Sequence, residues 1–233
     1  HRAANTVALY RQRLRTFLEK FGPREFAAVT PLDVDAWLAE ASLTRAGRPA
    51  APDTVRVTAI AFERLQQFAV DHKLLAAPIV ARLEKPVGRQ REALPTDAQA
   101  AALLAAAPPA WALIYRALRQ SGARPGELCA ATADDWDRRR GAIVLEAHKT
   151  RRKTGRPRVI FVGAKLAAIL AEALGERTEG PIFRNSRGRR WTPGRVSAVF
   201  RQLRDRLGLP RENVLCCANR PEPATKLAGE VPL

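Results

Sequence analysis

Residues 121–128 read Ser-Gly-Ala-Arg-Pro-Gly-Glu-Leu, and the reading of the whole chain turns on this stretch. Gly122 ends a helix, because glycine adopts the left-handed backbone that closes a C-terminus. Pro125 suits the first position of the next helix, since its ring presets the helical φ and its missing N–H is not needed there. Glu127 falls in that helix's first turn. Arg124 is therefore held between two rigid turns, at a helix N-terminus made electropositive by free N–H groups. A guanidinium there makes a fork for one phosphate group. The alternative is an Arg124–Glu127 pair that only stitches the turn. The octapeptide alone supports both.

Downstream, Ala142–Leu145 and Arg158–Val162 are β-rich runs with Gly155 between them, which predicts a hairpin. Its connection carries His148, Lys149, Thr150, Arg151, Arg152, Lys153 and Arg156, and Arg158 opens the second strand as a further candidate DNA contact. A basic two-stranded ribbon can enter a DNA groove or follow phosphates. Lys149 leaves the first strand, where a lysine can be aimed inward. Arg151, Arg152 and Arg156 read first as a solvated, phosphate-seeking face, and His148 as a structural or backbone-contacting residue, with no second metal ligand beside it. A helix follows over Lys165–Leu174. Thr192-Pro193 then caps a helix with an apolar stripe at Val196, Val199, Phe200, Leu203 and Leu207, on which Arg195, Arg201, Arg204 and Arg206 ride. Trp191 reads as packing rather than base stacking.

Upstream, Thr96 and Gln99 form a capping box before Leu103, Leu104 and Ala107. Trp111, Ile114, Tyr115 and Leu118 make the next stripe. The first ninety residues are helical. Val7, Tyr10, Leu14, Phe17 and Phe21 predict an amphipathic helix over about 4–21, stopped by Gly22-Pro23. Thr30-Pro31 starts a second, with Val34, Trp37, Leu38 and Ala41. Asp53 opens a third that carries Val57, Ile60, Ala61, Arg64, Leu65 and Phe68 to about His72, and a short helix to Leu83 follows Pro78. Residues 84–93 lack periodicity and read as a linker. Groove-reading side chains can be named only as a class, the Arg, Lys, Gln and Asn of the third helix, such as Arg56, Arg64 and Gln67. Both tyrosines, Tyr10 and Tyr115, sit on apolar stripes and read as core.

Composition narrows the function. The chain has 233 residues, 46% of them hydrophobic, which is enough for one large domain or two small ones. No apolar run reaches about 18 residues, so no membrane helix is expected, and no secretory signal opens the sequence. Cys129, Cys216 and Cys217 show no metal or disulfide spacing, so a reducing cytoplasm is the default. The net charge is +17, with a pI near 11.2. An arginine- and alanine-rich chain owes part of this to codon usage, so position matters more than the total. Residues 138–158 hold nine Lys/Arg against one acid, and 184–206 hold eight Arg against one. Such clusters point to a polyanion.

As an ordered set these segments resemble the tyrosine recombinase (phage integrase) family, in its Xer-like form. The set is TPLDVDAWL (30–38), SGARPGEL (121–128), a basic hairpin HKTRRKTGRPRVIFV (148–162) that places Lys149 25 residues after Arg124, and GPIFRNSRGRRWTPGRV (180–196). The resemblance covers roughly residues 5–210. It implies a mainly α fold with a small antiparallel β-sheet. A four-helix, SAM-like core-binding domain (1–83) would clamp DNA, followed by the linker and a catalytic domain over 94–233. By the same resemblance Arg124 is the first catalytic arginine, Lys149 the hairpin lysine and Glu127 the acid that fixes the helix. The family's tyrosine attacks a DNA phosphodiester and forms a 3′-phosphotyrosyl link. Arginines stabilise the charge on the non-bridging oxygens, and the lysine protonates the leaving 5′-oxygen. Neither metal nor cofactor is used. Partners would be duplex DNA and other protomers on paired sites, with no membrane.

The match breaks after about residue 210. Residues 214–228 read VLCCANRPEPATKLA, and ATKLA fits the end of the family's Arg-His box. Arg220 then falls on the second catalytic arginine, with Pro221 where the histidine belongs and one extra residue before it. Prolines there would break a helix. No Gly-His box and no following tyrosine appear before Leu233, so the chain is expected to be catalytically incomplete, and whether it is an enzyme is left open. The rival reading is a non-catalytic DNA-binding protein that competes for recombination sites. A weaker one is an arginine-rich RNA binder, which an absent RNP-type strand and GXXG loop disfavour.

Overall fold

The computed structural model describes residues 4–44, 46–87, 95–146 and 155–210. The chain divides into two compact units, His1–Gln90 and Arg91–Leu233. The described residues form eight α-helices and one three-stranded antiparallel sheet, the mainly α fold read from the sequence.

In the first unit α1 spans Ala4–Phe21, α2 Pro31–Ala41 and α3 Pro52–Asp71, with a 3-10 turn at Phe26–Ala28. The start of α2 is fixed locally. The Thr30 side chain accepts from the Asp33 N–H, and the Asp33 carboxylate accepts from the Thr30 N–H. Three rings hold the core together, with Phe17 5.1 Å from both Trp37 and Phe62, edge-on to each. Such pairs add to the burial of their area. The indole N–H of Trp37 reaches Thr16 Oγ1 at 3.0 Å, so its one polar group is satisfied.

Three expectations fail here. Helix α3 begins at Pro52, with Ala51 as N-cap, because Pro52 supplies the preset φ; Asp53 lies inside the first turn. Its buried side runs through Ala59, Phe62, Gln66 and Ala69, while Phe68 is exposed and stacks on His72. The short fourth helix is absent: residues 75–87 are irregular, leaving three α-helices among the described residues of this unit. A side chain takes the place of helical hydrogen bonding. Buried Gln66 donates to the Val80 carbonyl at 2.8 Å and accepts from its N–H at 3.2 Å, and Glu63 Oε1 accepts from the Leu83 N–H. These contacts satisfy the backbone and seat Leu83 in the core, 4% exposed.

In the second unit α4 spans Asp97–Ala105, α5 Pro109–Ser121 and α6 Pro125–Ala130. The sheet follows as β1 (Trp136–Asp137), β2 (Ala142–Leu145) and β3 (Arg158–Phe161), and then α7 (Ala164–Leu174) and α8 (Pro193–Arg206). Strand β2 is central, with Ile143 opposite Trp136 on one side and Ile160 on the other. Helix α5 is the buried strut of this unit: Trp111, Ile114 and Tyr115 have no exposed surface. The Trp111 indole donates to the Val196 carbonyl at 3.1 Å and so fastens α8 to α5. Arg204, expected on the outer face of α8, is 8% exposed and folded back onto Asp205.

Candidate nucleic-acid interface

Gly122 takes the left-handed backbone (φ 59°) that ends α5, and Pro125 is the first residue of α6. Between them Arg124 is the N-cap, with extended backbone. Glu127, at the third helical position, is 6% exposed. One carboxylate oxygen accepts from the Arg124 backbone N–H at 2.9 Å, and the other from Arg124 Nη1 at 2.5 Å. The pairing reading of the octapeptide is therefore realised. It does not consume the arginine, because a guanidinium has five N–H donors and Glu127 takes one nitrogen. The side chain remains 31% exposed.

A second cation joins from the sheet. Arg158, the first residue of β3, lies opposite Leu145 in the register, and its Nε stands 3.7 Å from Glu127 Oε2. That Nε is buried without a hydrogen-bond acceptor. Two guanidiniums from different elements thus bracket one buried carboxylate. Burial pushes the Glu127 carboxyl upward, but the Arg124 N–H, the Arg124 guanidinium and Arg158 outweigh it and hold the group below its ordinary range. The carboxylate stays ionised and fixes Arg124. What results is a rigid cationic fork with free donors, suited to the non-bridging oxygens of a phosphodiester.

Of the residues singled out in the sequence, the fold brings together Arg124, Glu127 and Arg158. Arg156 is exposed beside β3. Arg56 and Arg64 are exposed on α3, in the other unit. His148, Lys149, Thr150, Arg151, Arg152, Lys153 and Arg220 lie outside the described residues. Tyr10 is half-buried against the first core, and Tyr115 has no exposed surface. Trp191 is packed, 6% exposed, as expected. Arg177 was not foreseen: it donates to the carbonyls of Ala173, Pro181 and Ile182 at 2.6–3.0 Å, tying the end of α7 to the next segment. Among the described residues no group of three His, Cys, Asp or Glu could hold a metal, and no helix is long and apolar enough to cross a membrane.

No family model and no curated protein matches the sequence. Solved structures do. A lambda integrase dimer bound to a COC′ core site matches with a TM-score of 0.73 at 17% identity, over 99% of this chain and 66% of that one. Lambda integrase (75-356), as a dimer on the same site, matches with a TM-score of 0.76 at 18% identity, over 99% and 82%. The Tn1549 transposon integrase (aa 82-397) in complex with circular intermediate DNA gives 0.63 at 17%, over 98% and 82%. The chain thus spans about two thirds of the longer lambda integrase chain. At these identities the likeness establishes architecture: the chain has the fold of the lambda and Tn1549 integrases, the tyrosine recombinase fold that its motifs imply.

Proposed function

We propose that the chain binds duplex DNA as a recombinase of the integrase type, gripping a backbone phosphate with Arg124. The observation that carries this is the Arg124–Glu127–Arg158 arrangement, set in a fold shared with integrases solved in complex with DNA. A buried carboxylate that fixes a partly exposed arginine and leaves its donors free is built for an outside oxyanion. In this reading Arg124 stabilises charge on the non-bridging oxygens, Lys149 is the general acid toward the leaving 5′-oxygen, and Arg220 completes the clamp. The basic hairpin, Arg56 and Arg64 contact the duplex, and further protomers assemble on paired sites. The work is done in the cytoplasm, where the DNA is.

A second reading concerns chemistry. Within these 233 residues the tyrosines are Tyr10 and Tyr115. Tyr115 is fully buried and Tyr10 packs against the other unit's core. This favours binding without strand cleavage by these residues alone, as a competitor at recombination sites would do.

Both readings are tested with one labelled duplex of about 30 base pairs. Fluorescence anisotropy should show binding that weakens steeply with salt, and Arg124→Gln should weaken it by about 10- to 150-fold, as loss of a charge-assisted phosphate contact worth about 1.5–3 kcal/mol implies. Denaturing gels should show no covalent protein–DNA adduct. Salt-insensitive or absent duplex binding would overturn the first reading, and an adduct the second.

A further inference from the structure

A second cationic feature lies in the same unit, on residues that the reading above leaves unused. A cavity of about 680 Å³ opens between the 185–192 segment, α8 and the connection from α4 to α5. That volume is in the range of small-ligand sites, about 300–1,000 Å³. Arg187, Arg189, Arg190, Arg195 and Arg206 line it, and among the described residues no carboxylate does. Several other arginines of the unit have partners: Arg116 has Glu172, Arg119 has Asp97 and Arg177 has three carbonyls.

The segment is built to hold them there. The Asn185 side-chain oxygen accepts from the N–H groups of both Arg187 and Arg189. The Asn185 N–H donates to the Arg189 carbonyl at 2.8 Å, and the Gly188 N–H to the Asn185 carbonyl at 2.9 Å. Arg184 and Arg190 close the turn as a β-bridge. Gly188, at φ +70°, supplies the left-handed residue that this turn requires. The positions from which the cations project are therefore set before any ligand arrives.

Two independent features point to an anion. Trp191 forms part of the wall, is 6% exposed, and its buried indole N–H has no acceptor. A buried donor without a partner is costly and uncommon. The 14-residue α8 also begins at the cavity, adding the positive end of its dipole to five guanidiniums. Like charges held together without a counter-charge repel one another, and a bound polyanion relieves that repulsion.

We propose that this cavity is a phosphate-binding site separate from Arg124, which takes two neighbouring phosphate groups. The two sites sit on adjoining helices: a Cβ placed on Gly126 of α6 would lie 3.7 Å from Pro193 Cγ of α8. The phosphates have two sources of the same chemistry, the backbone of a nucleic acid or a soluble polyphosphate. The backbone source rests on the DNA-binding reading; the site itself does not.

The test uses the whole chain, inorganic pyrophosphate, a labelled 30-base-pair duplex, and the triple variant R187Q/R190Q/R195Q. These side chains are exposed, so folding should be unaffected, which circular dichroism checks. The charge-preserving R187K/R190K/R195K controls for shape. With a slope of about 0.9 per phosphate contact, the Gln variant should lower the dependence of log K on log salt by about 1.8, on top of the loss in R124Q; the Lys variant should largely retain it. That result assigns the site to the DNA backbone. If the slope holds but pyrophosphate raises the melting temperature of the wild type and not of the Gln variant, the ligand is a soluble polyphosphate. If the Gln variant changes neither, the proposal is overturned. Failure of the wild type to bind duplex, with pyrophosphate stabilisation still lost in the Gln variant, would refute the DNA-binding reading and leave the cavity standing.

Discussion

Replacing Glu127 separates the two things its carboxylate does. It caps the first turn of α6 through the Arg124 N–H, and it holds the Arg124 guanidinium. Loss of a side-chain helix cap costs about 1 kcal/mol. Loss of a charge-assisted hydrogen bond costs about 1.5–3 kcal/mol, and the lower end applies because Arg124, 31% exposed, can turn to water. Glu127→Ala should therefore destabilise the second unit by about 2–3 kcal/mol, lowering its melting temperature by about 5–10 °C for a unit of this size. Glu127→Gln keeps a carbonyl acceptor for the cap and should cost about half as much. Chemical denaturation followed by circular dichroism measures both. The pH dependence supplies an independent check. The folded-state value is held below the ordinary 4.5, so the contribution is complete above the unfolded value and disappears as pH falls through the folded one. The gap between wild type and Glu127→Gln should be constant from neutral pH down to about 5 and close in more acidic solution. A loss below about 0.5 kcal/mol in Glu127→Ala, the range of an ordinary surface substitution, or a gap that widens in acid, would refute the assignment.

Three further outcomes follow from the packing. Gly22→Ala should cost about 1–3 kcal/mol, as overpacking does, because its Cβ would lie 2.4 Å from the Leu18 carbonyl oxygen; a thermal melt reads it. Gln66→Leu should lose about 1–3 kcal/mol by leaving the buried Val80 backbone groups unpaired, and hydrogen exchange at the Val80 amide should accelerate with it. Cys129 is 3% exposed and burial pushes its thiol up to about 12, so in a C216S/C217S background a thiol reagent at pH 8 should react only after denaturant is added.

How far the sequence was legible depends on how far apart the deciding residues lie. The bounds of α1 and the starts of α2 and α4 came directly from stripes and caps, because Thr30 with Asp33 and Thr96 with Gln99 act within one turn; α4 ends at Ala105, short of the Ala107 placed on its stripe. The Arg124–Glu127 pair was legible for the same reason, three residues along a helix start. Where a distant group decides, local reading failed. Residues 78–83 look helical until Gln66 and Glu63, some 14 to 20 positions away, satisfy their backbone instead. The two-residue strand at Trp136 depends on Ile143, outside its own segment. The contribution of Arg158 required the β2–β3 register. The excess of arginine over 184–206 was plain in the composition, but its convergence on one cavity was not.

That contrast bears on which of the chain's many cations have a function. A guanidinium that folding has already paired contributes to the fold and little to recognition, as Arg177 does with its three carbonyls and Arg204 with Asp205. Arg124 is intermediate: a buried carboxylate takes one nitrogen and orients the rest, so the entropy of positioning the side chain is spent during folding rather than on binding. The arginines of the 185–190 turn have fixed backbones and, among the described residues, no carboxylate in the cavity they line, which gives attraction without a fixed fork geometry. On this reasoning Arg124→Lys should be damaging even though charge is conserved, because a lysine cannot offer two parallel donors. Lysine in the turn should be tolerated, because screened attraction to a polyanion depends on charge more than on shape. Equal tolerance at both places would mean that Arg124 is one more surface cation and that Glu127 serves only to cap a helix.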